Sequence, residues 1–175
     1  TLFACAAAGS LYRWYRNTRF CGCCGARLRK SETERAMVCP ECGNVIYPKI
    51  CPAVIVAVHD GDRLVLTRYK DRPIKHLALI AGAQVTNENG TAWSQIDLGT
   101  KAIVKNLRFY KSQPWVFTDT LLFGFFAELD GSGRITVQED ELAEANWYPR
   151  SEVPADTAHM SLTAEMIEQF RLGHV

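Results

Sequence analysis

Hydrophobic and polar positions change period several times along this chain, and each change marks an element. Residues 2–16 are rich in alanine with Leu11 and the aromatics Tyr12, Trp14 and Tyr15, a pattern that predicts a helix packing its rings on the segment after it. Residues 20–47 have no sustained period and read as short hairpins, closed by Tyr47-Pro48. From Ala53 to Val58 the chain is an unbroken β-branched run, the signature of a buried strand. His59-Asp60-Gly61-Asp62 is a hairpin turn, and Leu64 to Tyr69 is the returning strand. Leu77 to Gly82 is a further short apolar run. Residues 83–101 are broken by Asn87, Asn89, Gly90 and Gly99 and show no clear period.

Order returns with strands over Ile103–Tyr110 and Thr120–Leu129, a turn at 130–133, and short strands over Ile135–Val137 and Ala145–Tyr148. Ser151–Val153 starts a short turn. Ser161 then caps a last helix with Leu162, Met166, Ile167 and Phe170 on one face and Gly173 beyond its end. Strands followed by helices, with long loops between, predict an α/β sandwich with a mixed sheet. The boundaries expected are a helical lead-in over 1–19, a small module over 20–50 and an α/β domain over 51–175.

The module holds the sharpest chemical signal. Cys21-Gly22-Cys23-Cys24-Gly25 is answered by Cys39-Pro40-Glu41-Cys42-Gly43. Two Cys-x-x-Cys pairs, each followed by glycine, have the spacing of a structural zinc site with Cys21, Cys24, Cys39 and Cys42 as ligands. Such a closed site folds its segment and does no chemistry. Two disulfides or free core cysteines are the other readings of the same pairs. Cys23 is an extra thiol, and Cys5 and Cys51, in apolar surroundings, are expected in the core.

Composition adds two constraints. Seven cysteines at metal spacing suit a reducing compartment, so a cytoplasmic protein is expected. No run of about 18 apolar residues occurs, so no membrane span is expected. The net charge is +1, but residues 1–50 carry eight Lys/Arg against three acids. That imbalance is either a solvated face or a surface for phosphates. The scattered histidines form neither a triad nor a metal cluster, and no P-loop or Gly-x-Gly-x-x-Gly occurs.

Four stretches together resemble the NADH pyrophosphatase family of Nudix hydrolases, from about residue 8 to residue 172. They are Arg19-Phe20-Cys21-Gly22 through Cys42-Gly43, Tyr47-Pro48 with Pro52 entering the apolar strand, Ser112-Gln113-Pro114-Trp115 with Phe117, and Glu141 through Trp147. The resemblance implies a zinc ribbon followed by a Nudix-type α/β/α sandwich. It implies hydrolysis of the pyrophosphate of NAD(H)-like dinucleotides to nicotinamide mononucleotide and AMP with Mg²⁺ or Mn²⁺, with NAD-capped RNA as a further substrate. It also implies a homodimer. Tyr47 and Trp115 become candidates for stacking on a base or nicotinamide ring, Gln113 for hydrogen bonding to substrate, and Glu141 for a metal-binding or catalytic carboxylate, with Glu144 in support.

One departure bears on activity. The family's box leads from a glycine and a glutamate into a helix bearing Arg-Glu-x-x-Glu-Glu, whose carboxylates share one face and hold divalent cations. Here Gly82 and Glu88 fit the opening, but the Arg-Glu place falls on Ile96-Asp97 and the Glu-Glu place on Thr100-Lys101. Asp97 is the one carboxylate left on that face. The chain is therefore expected either to hydrolyse dinucleotides with a rearranged site using Asp97, Glu141 and Glu144, or to bind dinucleotide or RNA without cleaving it. A zinc-stapled interaction domain is a third reading.

Overall fold

The unbroken run at Val54–Val58 becomes the middle of a ten-residue strand, β4 (Cys51–Asp60), with all five of those residues buried. A strand buried on both faces has no need for alternation, which is why the pattern carries no period of two. The computed structural model of the chain describes residues 2–70, 77–82, 104–131, 133, 135, 142–157 and 160–175. In chain order the elements are α1 (Leu2–Asn17), β1 (Arg29–Lys30), β2 (Met37–Val38), β3 (Val45–Ile46), β4, β5 (Arg63–Tyr69), β6 (Ile80–Gly82), β7 (Val104–Trp115), β8 (Thr120–Leu129), β9 (Leu142–Pro149), a 3₁₀ turn at Arg150–Glu152, and α2 (Leu162–Arg171).

These elements fall into two units, residues 1–51 with 114–120 and residues 52–113 with 121–175. The second is built on a sheet of order β7-β8-β4-β5-β9, with β6 pairing β4. β4 shares its length between partners. Val54, Ile55 and Val56 pair antiparallel with Gly82, Ala81 and Ile80, while His59 and Asp60 close the hairpin against Leu64 and Arg63. β5 then pairs antiparallel with β9, from Arg63↔Pro149 to Tyr69↔Leu142.

The two faces of this sheet carry separate cores. Ile55 and Ala57 join Leu64, Leu66, Leu79, Phe126 and the α2 residues Leu162, Met166, Ile167 and Phe170. Val54, Val56 and Val58 join Val65, Ile80, Val104 and Ala127 on the other. The α/β architecture expected from the sequence is thus present, with α2 covering the first face. The stretch 83–101 lies outside the described residues, as do residues 136–137 of the strand expected at Ile135–Val137, whose first residue is not in a strand.

α2 sits where the sequence places it. Ser161 Oγ accepts from the Ala164 N–H at 3.2 Å, satisfying a donor that the first helical turn leaves free. β7 holds the helix through three side chains. Tyr110 Oη donates to Glu165 at 2.9 Å, Lys111 Nζ to the same carboxylate at 2.9 Å, and Gln113 Oε1 accepts from the Leu162 N–H at 2.7 Å. Among the described residues β7 lies at the end of the strand order, a position that tolerates both Pro114 and the left-handed Asn106 (φ 52°) within it.

Where β8 passes beneath α2, the chain has Gly124. A β-carbon there would lie 2.5 Å from Met166 Sδ and 3.2 Å from Leu162 Cδ2, and both side chains are fully buried. Gly124→Ala is therefore expected to cost about 1–3 kcal/mol by overpacking, read as a lower urea midpoint with unchanged slope.

His59 offers a second check. Its Nδ1 has no hydrogen-bond partner among the described residues, and its ring lies 6.1 Å from that of Phe170. Burial holds the imidazole below its ordinary pKa; the Glu128 carboxylate opposes this and the Arg150 cation reinforces it. The folded chain thus resists a proton that the unfolded chain accepts below about pH 6.5. Stability is full above that value and falls as pH drops through it. Urea titrations from pH 8 to pH 5 are expected to show that loss, and His59→Gln to reduce it.

Candidate metal centre and nucleotide-facing residues

Each Cys-x-x-Cys pair closes a hairpin in the first unit. The first lies between the bridged residues Phe20 and Arg27, the second between β2 and β3. The ribbon is thus one bridged hairpin followed by a three-stranded sheet, β1-β2-β3. The two knuckles repeat one hydrogen-bond pattern. Gly25 N–H donates to Cys21 O at 2.9 Å and Cys21 N–H to Ala26 O at 2.8 Å; Gly43 N–H donates to Cys39 O at 3.1 Å and Cys39 N–H to Asn44 O at 2.9 Å. Both glycines have positive φ, 78° and 72°, a conformation that a β-carbon disfavours.

This geometry turns four sulfurs inward. The Sγ atoms of Cys21, Cys24, Cys39 and Cys42 all lie within 4.8 Å of one another, with Cys21–Cys42 at 3.6 Å and Cys24–Cys39 at 3.4 Å. A tetrahedron of zinc–sulfur bonds of about 2.3 Å has edges of about 3.8 Å, so the donor set fits a structural zinc ion. All seven cysteines are free thiols, which removes the disulfide reading. Cys21 and Cys39 are buried with Trp14, Leu28 and Met37, and Tyr15, Ala26 and Ile46 pack around them. Cys24 and Cys42 face the surface.

The sulfurs also differ in charge preference. The N–H groups of Cys24 and Cys23 point at Cys21 and lower its thiol to about 6, and Asn44 Nδ2 adds a contact at 3.6 Å. At Cys42 the Asn44 N–H pulls the thiol down, but the sulfurs of Cys24, Cys39 and Cys21 together outweigh it and push the group up to about 12. Four adjacent thiols do not all ionise by themselves; a dication removes that conflict. Sequence reasoning misses Asn44, although a polar residue directly after the knuckle glycine is the available signal.

Cys23 is exposed, as an extra thiol should be. Cys5 and Cys51 do not lie in the core as expected. Cys5 is exposed because it stands seven residues before the exposed Tyr12, on the same stripe of α1. Cys51 is half-buried at the start of β4, its N–H donating to Asp119 O at 2.7 Å.

The remaining candidates are dispersed. Tyr47 is 56% exposed, and its hydroxyl donates to Glu34 at 3.1 Å, which raises its pKa and leaves the ring face open. Trp115 is half-buried and meets Phe117 edge-on at 5.2 Å. The turn after it is fixed by α1: Arg13 Nη2 donates to Val116 O at 2.9 Å, and Ser10 Oγ donates to Asp119, which also pairs with Arg13 at 3.6 Å. Gln113 spends its carbonyl oxygen on the N-terminus of α2. Glu144 accepts from Tyr148 Oη at 2.8 Å and pairs with its cross-strand neighbour Arg68 at 3.4 Å, tying β9 to β5.

Asp97 and Glu141 lie outside the described residues. Among the described residues the four cysteines are the one cluster suited to a metal, so no carboxylate site for Mg²⁺ or Mn²⁺ is assembled there. A groove of about 330 Å³ is lined by Asp62, Arg150, Ser151, Val153 and Arg171. Its arginines are already paired, Arg150 with Asp62 at 2.5 Å and Arg171 with Glu168 at 2.6 Å.

A four-thiol ribbon on one unit and a two-cored sheet with α2 on the other define a Nudix-fold protein with a zinc ribbon. A family model described as the NADH pyrophosphatase zinc ribbon domain matches residues 16–47. The NAD-capped RNA hydrolase NudC of Salmonella typhi is 40% identical over 158 residues, covering 87% of this chain and 60% of that protein. Its counterpart in Salmonella heidelberg matches equally. A Nudix hydrolase from Nitrosomonas europaea shares the fold, with a TM-score of 0.68, 18% identity and coverage of 88% of this chain and 90% of that one. The chain is thus similar to NAD-capped RNA hydrolases over most of its length, matches the NADH pyrophosphatase zinc ribbon at residues 16–47 and has the Nudix fold. It spans 60% of the length of the curated relatives it matches.

The metal assignment gives a direct expectation. The purified chain holds one equivalent of zinc, released by a mercurial and counted with a chromogenic chelator. Cys39→Ser loses the metal and the ribbon's near-ultraviolet signal, while Cys23→Ser keeps both.

Proposed function

We propose that this chain hydrolyses the pyrophosphate bond of NAD(H)-like dinucleotides, giving nicotinamide mononucleotide and AMP, and that NAD-capped RNA is a further substrate. The observation that carries the reading is the 40% identity to relatives named NAD-capped RNA hydrolase over 87% of this chain. The ribbon and Ser112-Gln113-Pro114-Trp115 fall within that resemblance. Zinc in the ribbon is structural. Mg²⁺ or Mn²⁺ is the family's catalytic metal; here Asp97 and Glu141 are the carboxylates proposed for it. Trp115 and Tyr47 are proposed to stack on the flat rings of the substrate. A homodimer and a cytoplasmic location belong to the same reading. A domain division at residues 19/20 and 50/51 is proposed with it.

A second reading rests on one specific observation. At the box positions Ile96, Thr100 and Lys101 stand where the family pattern has arginine and glutamates. Loss of those carboxylates favours a module that binds the dinucleotide without cleaving it.

Chromatography of NADH incubated with zinc-loaded protein and Mn²⁺ separates the two. Hydrolysis is expected to yield AMP and nicotinamide mononucleotide in equal amounts, and Trp115→Ala to raise KM by roughly twofold to tenfold. Heat on mixing in a calorimeter without any AMP release would instead establish the binding module.

A further inference from the structure

A zinc ion with four sulfur ligands has no open position, so the metal itself is closed to substrate. The sulfurs are not equally closed. Cys21 and Cys39 are buried, whereas Cys24 and Cys42 are exposed. The hairpins explain the difference. The first cysteine of each pair leads into the turn and joins the small core with Trp14, Leu28 and Met37, while the second lies within the turn itself.

The four sulfurs also pair across the site. Cys24 Sγ lies 3.4 Å from Cys39 Sγ, and Cys42 Sγ lies 3.6 Å from Cys21 Sγ. Each exposed sulfur thus faces a buried one that belongs to the other knuckle. Zinc holds all four as thiolates, the form that reacts. An accessible thiolate beside a second sulfur able to attack it is what reversible thiol oxidation requires.

We propose that the ribbon is an oxidation site for hydrogen peroxide, in which Cys24 and Cys42 take the oxidant and Cys39 and Cys21 close disulfides onto them, releasing the zinc. In the first step the exposed thiolate attacks peroxide. A sulfur–oxygen bond forms, the oxygen–oxygen bond breaks and hydroxide leaves. In the second step the buried thiolate attacks the oxidised sulfur. A sulfur–sulfur bond forms, the sulfur–oxygen bond breaks and a second hydroxide leaves. Each peroxide takes two electrons, one from each sulfur of the pair. Two peroxides and four protons thereby convert the dianionic centre into two disulfides, one free zinc ion and four waters. The change is felt beyond the ligands, because Cys21 and Cys39 share their core with Trp14, and α1 fixes the turn after Trp115 through Ser10 and Arg13.

The experiment uses the zinc-loaded chain carrying Cys5→Ser and Cys23→Ser, which removes the exposed thiols outside the site. Excess hydrogen peroxide is expected to release the whole equivalent of zinc to a chromogenic chelator, and dithiothreitol with added zinc to restore it. Trypsin cuts after Arg19, Arg27, Arg35 and Lys49, so either proposed bridge joins peptide 20–27 to peptide 36–49. Mass spectra of the monomer band from a non-reducing gel are expected to show that joined pair, with fragmentation placing the bridges at Cys24–Cys39 and Cys21–Cys42. With dimedone present during oxidation, adducts are expected on Cys24 and Cys42 alone. Zinc loss that peroxide does not accelerate, or that dithiothreitol does not reverse, would overturn the proposal. So would bridges confined within either peptide, bridges only between chains, or dimedone on Cys21 or Cys39. None of these readouts depends on hydrolysis of a nucleotide.

Discussion

Four sulfur atoms crowded within 4.8 Å set the condition on which the ribbon exists. As thiolates they repel; as thiols they offer weak contacts and leave the knuckle N–H groups poorly satisfied. Only a cation among them lets every sulfur ionise and every N–H···S contact strengthen at once. The consequences extend beyond the ligands. Cys21 and Cys39 are also members of the small core that holds Trp14. α1 in turn fixes the turn after β7 through Ser10 and Arg13. A single electrostatic condition thus supports the ribbon, the packing of α1 and the shape of the segment after Trp115.

The Ser-Gln-Pro-Trp stretch is where β7 passes from one unit to the other. Gln113 belongs with the sheet and caps α2, whereas Pro114 and Trp115 are grouped with α1 and the ribbon. Its residues therefore do different jobs despite being neighbours. The glutamine satisfies a helix terminus, and the tryptophan presents a half-buried ring beside Phe117. A short motif at such a crossing is constrained from two directions, by hydrogen-bond geometry on one side and by ring packing on the other.

Much of the architecture is legible in the chain because its signals are local. The glycine after each cysteine pair announces a left-handed turn, the β-branched run at 54–58 announces a doubly buried strand, and Ser161 with its apolar stripe announces α2. The features that escape are long-range. Nothing near Gln113 in sequence reveals that Leu162 needs an acceptor, and nothing near Asp119 reveals Ser10. Cys5 misleads for a related reason: its apolar neighbours suggest burial, but the helical stripe it shares with Tyr12 decides exposure. The candidate site is less legible than the fold, because the box that should supply its carboxylates departs from pattern at Ile96, Thr100 and Lys101.

Among the described residues β7 ends the strand order, and an edge strand is an invitation to pair with another molecule. Here the invitation is withdrawn at two points. Pro114 has no N–H to offer, and Asn106 in its left-handed conformation interrupts the row of donors and acceptors. A neighbouring chain seeking to lengthen the sheet would find at most a short uninterrupted ladder between them. Among the described residues, the same two positions that make β7 irregular also make its outer side a poor template for an added strand.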